Sequence, residues 1–366
     1  MTHPGGAGLR LVFDTFTAKH FRGFHNLQLD ELHRINLITG KNNVGKTALL
    51  EGIFVHCGVY NPELAIRVNA FRGFENVKVQ VVPEADMPWD SLFRDYDSDS
   101  PVELIGRAEG RPRRTLRLRP HASTTARRAR PTSATPTDTT APASAAGLLT
   151  LEYEEGSKRN IYQLSVDNDG LRISPTPPPP PFKAIFHGSR ARAQFSELAD
   201  RYSALQLRDG EQTFVSALKV IEPRLTAITL LMAGGQPMLH GRLTTGRPIP
   251  LPLMGEGIMR LASYILSVSD APNGVVLIDE IENGFHYSVL PEVWRVLAHA
   301  ARRANVQIFT TTHSRECVVA AHEAFSKDLP YDLKLYRLEQ GPADISVVAY
   351  DQQTLDAAVR AEFEVR

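Results

Sequence analysis

The clearest chemistry in this sequence lies in one short segment that fits the phosphate-loop pattern G-x-x-x-x-G-K-[ST]. It runs Gly40, Lys41, Asn42, Asn43, Val44, Gly45, Lys46, Thr47, with Ala48 directly after it. Glycines in such a loop let backbone N–H groups surround phosphate oxygens, while Lys46 reaches the outer phosphates and the Thr47 hydroxyl binds Mg²⁺. The segment therefore predicts a site for ATP and Mg²⁺, although it does not separate ATP from GTP.

A second segment supplies carboxylates. Val275 to Ile278 is apolar and is followed directly by Asp279 and Glu280. An apolar strand ending in Asp-Glu is common by itself, but behind a phosphate loop it indicates nucleotide hydrolysis. We expect Asp279 to hold Mg²⁺, and we expect Glu280 to orient the attacking water and help deprotonate it.

Two further positions are candidates at this site. His313 follows Thr310-Thr311-Thr312 at the end of a predicted strand, where α/β sheets bind their ligands. A γ-phosphate sensor is the favoured interpretation, and a surface histidine is the alternative. Gly255, Glu256 and Gly257 begin a predicted helix, where backbone N–H groups and the helix dipole favour an anion. A simple turn would explain these glycines equally well.

The elements that position these residues predict an α/β fold. Strands are expected at Leu9–Phe13, Ile35–Thr39, Val275–Ile278 and Gln307–Thr311, with a helix after the phosphate loop. Further helices are expected at Glu211–Ile221, from Ile258 to Leu266, at Val289–Ala301 and at Thr354–Phe363. Ile249 to Leu253 alternates with prolines, which suits an edge strand because proline cannot donate to a ladder.

An inserted β-subdomain is expected over residues 84–182 of what is otherwise a single ABC-type P-loop ATPase head spanning residues 1–366. Its short alternating segments, Val102–Arg107, Arg113–Arg119, Leu148–Tyr153 and Ile161–Val166, predict an antiparallel meander. Residues 120–147 are rich in Pro, Ala, Thr and Arg and lack large apolar side chains, which predicts disorder. A polyproline linker is expected over residues 175–181, and a ligand for a proline-recognition domain is the alternative.

Composition limits the class of protein. Hydrophobic residues make up 42% of the 366 residues, charged residues 22%, and the formal net charge is zero. Any nucleic-acid contact must therefore come from a local patch. Cys57 and Cys317 are too few for a disulfide framework. Without an evident secretory signal or an apolar run of membrane-spanning length, the expected location is cytoplasmic, with no membrane contact.

The order of the parts resembles an ABC ATPase. The phosphate loop, glycine signature and Asp-Glu strand are followed by a turn at Glu282 to His286 and by Thr-Thr-His-Ser. In detail, Phe21-Arg22-Gly23-Phe24 and Ile278 to Gly284 resemble bacterial AAA/ABC-like ATPases related to the overcoming-lysogenization-defect (OLD) ATPase domain, distant cousins of SMC and recombination-repair ATPases. The resemblance covers Leu9–Val55 and roughly Phe186 to Arg366.

This resemblance implies a homodimer that sandwiches two ATP molecules, with Gly255-Glu256-Gly257 of one copy touching the γ-phosphate held by the other. The signature differs from the Leu-Ser-Gly-Gly of transporters, no long coiled coil separates the halves, and no acidic cluster like that of a Toprim nuclease follows His313. The implied function is an ATP-hydrolysing switch subunit that controls a separate effector, such as a Toprim-like nuclease in phage defence.

Two other functions stay open. Nine arginines fall between Arg107 and Arg130, which would suit a DNA-repair or DNA-end-binding ATPase. Against a nucleic-acid patch, Arg117 and Arg119 alternate with leucines as on the wet face of a strand, and aromatic residues do not interleave with them. A scaffold that binds ATP without turning it over is the third interpretation. Salt-dependent DNA binding would favour the DNA-binding ATPase, and tight ATP binding without turnover would favour the scaffold.

Overall fold

In the computed structural model, two large sheets enclose the helix that follows the phosphate loop. The structure describes residues 11–70, 72, 87–122, 147–167, 170–190, 194–244, 246–327, 330–342, 344–362 and 364. Most of the predicted disordered segment, residues 123–146, lies outside the described residues, as do residues 84–86 of the predicted insertion. No helix in the described ranges is long and apolar enough to cross a membrane.

The first sheet is antiparallel and has the strand order β2-β1-β4-β5-β6-β7-β8. Its strands are β1 Thr15–Phe21, β2 Phe24–Leu29, β4 Val102–Arg107, β5 Arg114–Ala122, β6 Gly147–Glu155, β7 Lys158–Asp167 and β8 Gly170–Ser174. The predicted meander is confirmed, and β5 and β6 extend into both ends of the segment predicted to be disordered. Because β4 pairs with β1, the meander and the N-terminal hairpin form one continuous sheet.

The predicted strand at Leu9–Phe13 is wrong for its described residues, since the first strand begins at Thr15. The reason lies in the Gln307 side chain. The Phe13 N–H donates to Gln307 Oε1 at 2.9 Å, and Gln307 Nε2 donates to the Phe13 carbonyl at 2.8 Å. The primary amide therefore occupies both backbone groups that a neighbouring strand would have paired.

The second sheet carries the phosphate loop and has the order β16-β15-β3-β14-β13-β9. Five of its strands are parallel, and β16 alone pairs antiparallel, with β15. The strands are β3 Ile35–Gly40, β9 Ala184–His187, β13 Val275–Ile278, β14 Gln307–Thr311, β15 Leu333–Gln340 and β16 Ile345–Tyr350. The predicted strands at Val275–Ile278 and Gln307–Thr311 are confirmed residue for residue. Their carboxyl ends lie at one edge of the sheet, beside the end of β3.

Helices cover both faces of this parallel sheet. On β13, Val275 and Leu277 pack in a core shared with α1 and the antiparallel sheet, while Val276 and Ile278 pack in a second core under the other helices. This alternation is the two-residue period of a strand that is buried on both faces. The helices are α1 Lys46–Cys57, α2 Leu64–Ala70, α3 Phe195–Gln206, α4 Glu211–Leu218, α5 Glu256–Asp270, α6 Leu290–Ala304, α7 Arg315–Lys327 and α8 Gln352–Arg360.

A small third sheet contains the predicted edge strand. Its strands are β10 Leu225–Ala233, β11 Gln236–Leu243 and β12 Ile249–Pro250, with β12 at an edge. The edge position is confirmed, but the strand is shorter than expected because Leu251–Leu253 forms a 3₁₀ turn instead. Pro250 and Pro252 lack the N–H groups that would extend the ladder, so the chain turns directly toward α5.

Glu51 holds α1 in place between the sheets. Its side chain is 0% exposed, and it lies 3.0 Å from Arg22 Nε in the turn between β1 and β2. Arg72 donates to both carboxylate oxygens, with Nε at 2.6 Å and Nη2 at 2.9 Å. Arg22 also donates to Asn69 Oδ1 at 3.1 Å. One buried carboxylate therefore ties the phosphate-loop helix to two separate segments of the chain.

We expect Glu51→Ala to lower the free energy of unfolding by about 3 kcal/mol, because removing one partner leaves buried charge uncompensated. The matched control is Glu197→Ala, since the Glu197 side chain is 54% exposed and pairs with Arg201 one turn along α3. The control is expected to cost about 0.5 kcal/mol or less. Urea unfolding followed by circular dichroism measures both, and equal losses in the two variants would contradict the anchoring role of Glu51.

Candidate functional site

The phosphate loop joins the end of β3 to the start of α1. Gly40 has φ 139° and Gly45 has φ 99°, conformations that favour glycine. A Cβ atom at Gly40 would lie 2.5 Å from the Leu338 carbonyl oxygen, and one at Gly45 would lie 2.8 Å from the Phe24 ring. Both glycines are therefore required by backbone angle and by packing, as the loop pattern predicts. The first N–H groups of α1 have no partner within the helix and are available to an anion.

The Lys46 ammonium folds back into the loop. Its Nζ donates to the Gly40 carbonyl at 2.6 Å and to the Lys41 carbonyl at 3.0 Å. Burial lowers the pKa of Lys46, and the negative charge of Asp279 and Glu280 acts in the opposite direction. The lysine is thus placed between its own loop and the two carboxylates at the end of β13.

Asp279 connects three strand ends at the site. Thr47 Oγ1 donates to its carboxylate oxygens at 3.0 and 3.1 Å, and Thr311 Oγ1 donates to Oδ1 at 2.7 Å. The Asp279 N–H donates to the His187 carbonyl at the end of β9 at 2.8 Å. The predicted pair Thr47 and Asp279 is therefore brought together, and Thr311 and His187 are contacts that the sequence did not indicate.

Glu280 lies in a disfavoured backbone conformation with φ 52°. Its N–H donates to Thr311 Oγ1 at 2.8 Å, and Asn283 Nδ2 donates to its Oε2 at 2.7 Å. The first bond holds the backbone turn and the second orients the carboxylate. Left-handed non-glycine residues held by their surroundings occur often at functional sites. Asn283 belongs to the turn at Glu282 to His286, and its residue type alone does not indicate this contact.

These groups line an open cleft of about 1040 Å³. Of the predicted site residues, it is lined by Asn42, Asn43, Gly45, Lys46, Thr47, Ala48, Asp279 and Glu280. Gly40, Lys41 and Val44 belong to the same loop without lining the cleft among its described residues. Val44 is buried, so its side chain packs within the loop. Arg22, Arg72 and four residues of the segment from Ser91 to Tyr96 also line the cleft.

The same groups fit a magnesium ion. Mg²⁺ prefers oxygen ligands and is commonly bound by one or two protein groups together with substrate phosphates. Thr47 and Asp279 offer a hydroxyl and a carboxylate that already lie within hydrogen-bond distance of each other. This donor set therefore fits Mg²⁺ bound with a nucleoside triphosphate.

The glycine signature lies elsewhere on the molecule. Gly255, Glu256 and Gly257 are at the N-terminus of α5, and a Cβ at Gly257 would lie 2.8 Å from the Gly284 carbonyl oxygen. Gly255 and Glu256 are exposed and line a separate cavity of about 340 Å³. The described lining of the phosphate-loop cleft includes none of the three residues.

His313 is also outside the cleft lining that the structure describes. Its side chain is 51% exposed, its Nδ1 lies 3.1 Å from Glu282 Oε1, and its N–H donates to the same oxygen at 2.9 Å. The residue is held beside the turn that follows Glu280. Within one copy the structure brings it near Glu282 rather than into contact with the phosphate loop.

Two of the six described arginines of the arginine-rich region, Arg114 and Arg117, have partners in the structure. Arg114 is 3% exposed, donates to the Val12 carbonyl at 2.6 Å and stacks on Phe13. Arg117 binds Glu103 at 2.7 Å and Glu154 at 2.9 Å. Its neighbours Leu116 and Leu118 are fully buried, as expected for a strand with one wet face. Direct nucleic-acid binding stays a prediction, and three of the nine arginines lie outside the described residues.

Thr311→Val tests the link between Asp279 and Glu280. The change keeps the side-chain shape but removes the donor to Asp279 and the acceptor of the Glu280 N–H. We expect turnover of bound nucleotide to fall about tenfold to a hundredfold, the scale expected when catalytic groups are misplaced. Because Thr311 is not among the described lining of the cleft, nucleotide affinity should change less than about threefold, a difference of under 1 kcal/mol.

The adjacent Thr310 provides a matched control. It is equally buried on β14, and its hydroxyl has no hydrogen-bond partner among the described residues. Thr310→Val should therefore keep wild-type turnover. Phosphate release and equilibrium nucleotide binding measure both variants. Similar turnover in Thr310→Val and Thr311→Val would show that the Thr311 hydroxyl does not position the carboxylates.

Two of the proteins that this chain resembles in sequence are the following. A protein named "ATP/GTP phosphatase" from Helicobacter pylori is 23% identical over 355 residues, covering 88% of this chain and 91% of that protein. An uncharacterized protein of Methanocaldococcus jannaschii is 37% identical over 75 residues, covering 20% of this chain and 66% of that protein.

Solved structures with similar chain tracing include two SMC heads. A head bound to the C-winged helix domain of ScpA is 11% identical, with a TM-score of 0.48, and the match covers 95% of this chain and 99% of that one. The SMC head domain from Thermotoga maritima is 11% identical, with a TM-score of 0.42, covering 93% and 99%.

The family described as "AAA domain, putative AbiEii toxin, Type IV TA system" matches residues 35–318. The match begins at β3 and extends into α7, so it includes the phosphate loop, the signature helix and the Asp279–Glu280 turn. The predicted α/β ATPase class is thereby confirmed, while the relation to the OLD ATPases stays a resemblance. Because the match spans well over half of this chain, the chain belongs to this AAA-domain family of P-loop ATPases.

Proposed function

We propose that this chain is an ATP-hydrolysing switch that binds ATP with Mg²⁺ in the phosphate-loop cleft and closes on a second copy around it. The observation that carries the proposal is the hydrogen-bonded chain from Thr47 through Asp279 to Thr311 and Glu280. It joins the residue suited to the metal with the residue suited to the attacking water. The H. pylori relative's name, which includes both ATP and GTP, supports triphosphate hydrolysis and makes GTP the second substrate to compare.

Each residue has a distinct role in this proposal. Lys46 exchanges its two loop carbonyls for phosphate oxygens, and Thr47 and Asp279 hold Mg²⁺. When bound, Mg²⁺ neutralises charge that develops on the phosphate oxygens. Glu280, oriented by Asn283, positions the attacking water and accepts its proton. The open side of the cleft must be covered to exclude bulk water, and a second copy would provide that cover.

The placement of the signature supports closure by a second copy. Gly255 has φ 121°, and no atom of the described residues lies within 4 Å of the position its Cβ would take, so a phosphate could approach its backbone closely. Leu253, just before it, is 76% exposed. In one copy these residues are outside the described cleft lining, whereas a partner copy could present them to the γ-phosphate. His313 would then act as a sensor across that closed site.

Glu280→Gln tests both hydrolysis and closure. We expect hydrolysis to slow by about 10² to 10⁴, the range for losing a general base, while ATP binding persists. The variant should therefore accumulate as a dimer in ATP and Mg²⁺, seen as a doubled mass by light scattering. Lys46→Ala is the control, since it removes the ammonium aimed at the phosphates and should lose both turnover and ATP-dependent dimerisation.

Three results would count against the proposal. Wild-type turnover in Lys46→Ala would remove the site assignment. Intact hydrolysis in Glu280→Gln would show that another group is the base. A Glu280→Gln protein that binds ATP but stays monomeric at concentrations well above its nucleotide dissociation constant would remove the two-copy closure.

We also propose that a separate effector protein reads the closed state. The resemblance to OLD-type ATPases supports such a partner. A nuclease is the effector that the resemblance implies, in phage defence. The alternative is direct action on DNA, for which the exposed arginines of the antiparallel sheet are the candidate contacts.

Nucleotide-dependent capture tests the effector. Tagged Glu280→Gln and Lys46→Ala proteins, purified from the native host with ATP and Mg²⁺, should differ in one stoichiometric polypeptide that only Glu280→Gln retains. The captured complex, but not the single chain, should then act on DNA in the presence of Mg²⁺ or Mn²⁺. Salt-dependent DNA binding or metal-dependent cleavage by the single chain, lost in Lys46→Ala, would favour direct action instead.

A further inference from the structure

One wall of the phosphate-loop cleft is an aromatic turn that has no role in the proposed hydrolysis. The wall contains Ser91, Phe93, Asp95 and Tyr96, which line the same cleft as Lys46 and Thr47. Phe93 is 2% exposed and forms an isolated bridge with Phe21 of β1. Tyr96, in contrast, is 64% exposed although it is a large side chain on the cleft wall.

The backbone of this turn is held in an unusual conformation. Asp95 has φ 51° and Tyr96 has φ 59°, so two consecutive non-glycine residues are left-handed. Such a conformation is uncommon for any side chain and is an outlier for a bulky one. It costs free energy and persists only where the surroundings impose it. The conformation therefore requires a structural or functional reason.

The surroundings that impose it are the walls of the cleft itself. The Arg22 N–H donates to the Leu92 carbonyl at 2.7 Å, and Arg22 Nη1 donates to Ser91 Oγ at 3.1 Å. The Tyr96 N–H donates to the Phe93 carbonyl at 3.2 Å. Tyr96 and Arg22 line the same cleft. Since Arg22 pairs with Glu51 on α1, the turn is fixed to the phosphate-loop helix.

Two groups of residues in the cleft differ in chemistry. Lys46, Thr47 and Asp279 suit phosphates and Mg²⁺, whereas Arg22 and Tyr96 offer a guanidinium and an aromatic face. Aromatic side chains bind bases by stacking, and this contact tolerates different bases because each has a π face. The Asp95 carboxylate lies 3.4 Å from Arg94, so its charge is already partly compensated. The wall is therefore suited to the face of a base rather than to its hydrogen-bonding edge.

We propose that Tyr96 stacks on the base of the bound nucleotide, so that the cleft accepts both ATP and GTP. This inference rests on the proposed function, because it assumes that the phosphates occupy the loop at Gly40–Thr47. The strained turn serves to present the ring to the ligand, and Arg22 connects that presentation to α1. Tyr96 therefore favours nucleotides over a phosphate chain that lacks a base, and it takes no part in the chemical step.

Binding measurements with and without a base test the proposal. ATP, GTP and inorganic tripolyphosphate, each with Mg²⁺, are titrated by calorimetry into wild type, Tyr96→Ala and Tyr96→Phe. Tyr96→Ala should weaken ATP and GTP by a similar factor, about tenfold to a hundredfold, which is the scale of base–aromatic stacking. Tripolyphosphate affinity should stay within about twofold of wild type, and Tyr96→Phe should keep nucleotide affinity because it keeps the ring.

Tyr287 offers a matched control, since it is 65% exposed and does not line the cleft among the residues described. Tyr287→Ala should keep the affinity for all three ligands. Less than a threefold loss of ATP affinity in Tyr96→Ala would overturn the stacking role, as would an equal loss for tripolyphosphate. Wild-type protein that binds none of the ligands would instead refute the proposed function, so the two failures are distinguishable.

Discussion

The Asp279 carboxylate is the point on which the site depends. It receives hydrogen bonds from Thr47 at the start of α1 and from Thr311 at the end of β14, and its own backbone is bonded to β9. A charged acceptor strengthens such bonds, and a partly buried carboxylate needs them to offset its desolvation. The ends of three parallel strands and the phosphate-loop helix are thus kept in one arrangement by a single residue.

A second buried carboxylate, Glu51, performs a comparable task on the other side of α1. Asp279 fixes the amino-terminal end of this helix to the parallel sheet, and Glu51 fixes its middle to Arg22 and Arg72. The helix is therefore restrained from both sheets, and movement of the phosphate loop requires movement of its surroundings. Such coupling is what an ATP-dependent switch requires, because a phosphate contact must shift a larger body to be read elsewhere.

The sequence was informative where chemistry and periodicity coincide. The phosphate loop and the strands at Val275–Ile278 and Gln307–Thr311 could be predicted because short apolar runs end directly at polar residues. The start of the first strand could not be predicted. It depends on hydrogen bonds between Phe13 and Gln307, which are 294 residues apart in the chain. The roles of Thr311 and Asn283 could likewise not be predicted. A threonine in a strand and an asparagine in a turn are both common at positions where they contact no carboxylate.

The same limit applies to the wall of the cleft. Tyr96 follows a segment with no periodic pattern, and the nearby Ser91 and Leu92 are hydrogen-bonded to Arg22 in the turn between β1 and β2, which brings Tyr96 to the cleft. The glycine signature could be recognised from its place in the chain. Its position outside the described cleft lining of one copy could not be predicted. Both examples depend on contacts between distant segments, which a single sequence does not display.

Cys57 and Cys317, the two cysteines of the chain, are both completely buried and form no disulfide. Burial raises the pKa of Cys57 to about 12 and also raises that of Cys317. A thiol that is both inaccessible and protonated reacts slowly with maleimides, because the thiolate is the nucleophile. The native chain is therefore a ready background for site-specific labelling: one cysteine introduced on an exposed surface would accept a fluorophore or spin label without removal of the natural thiols.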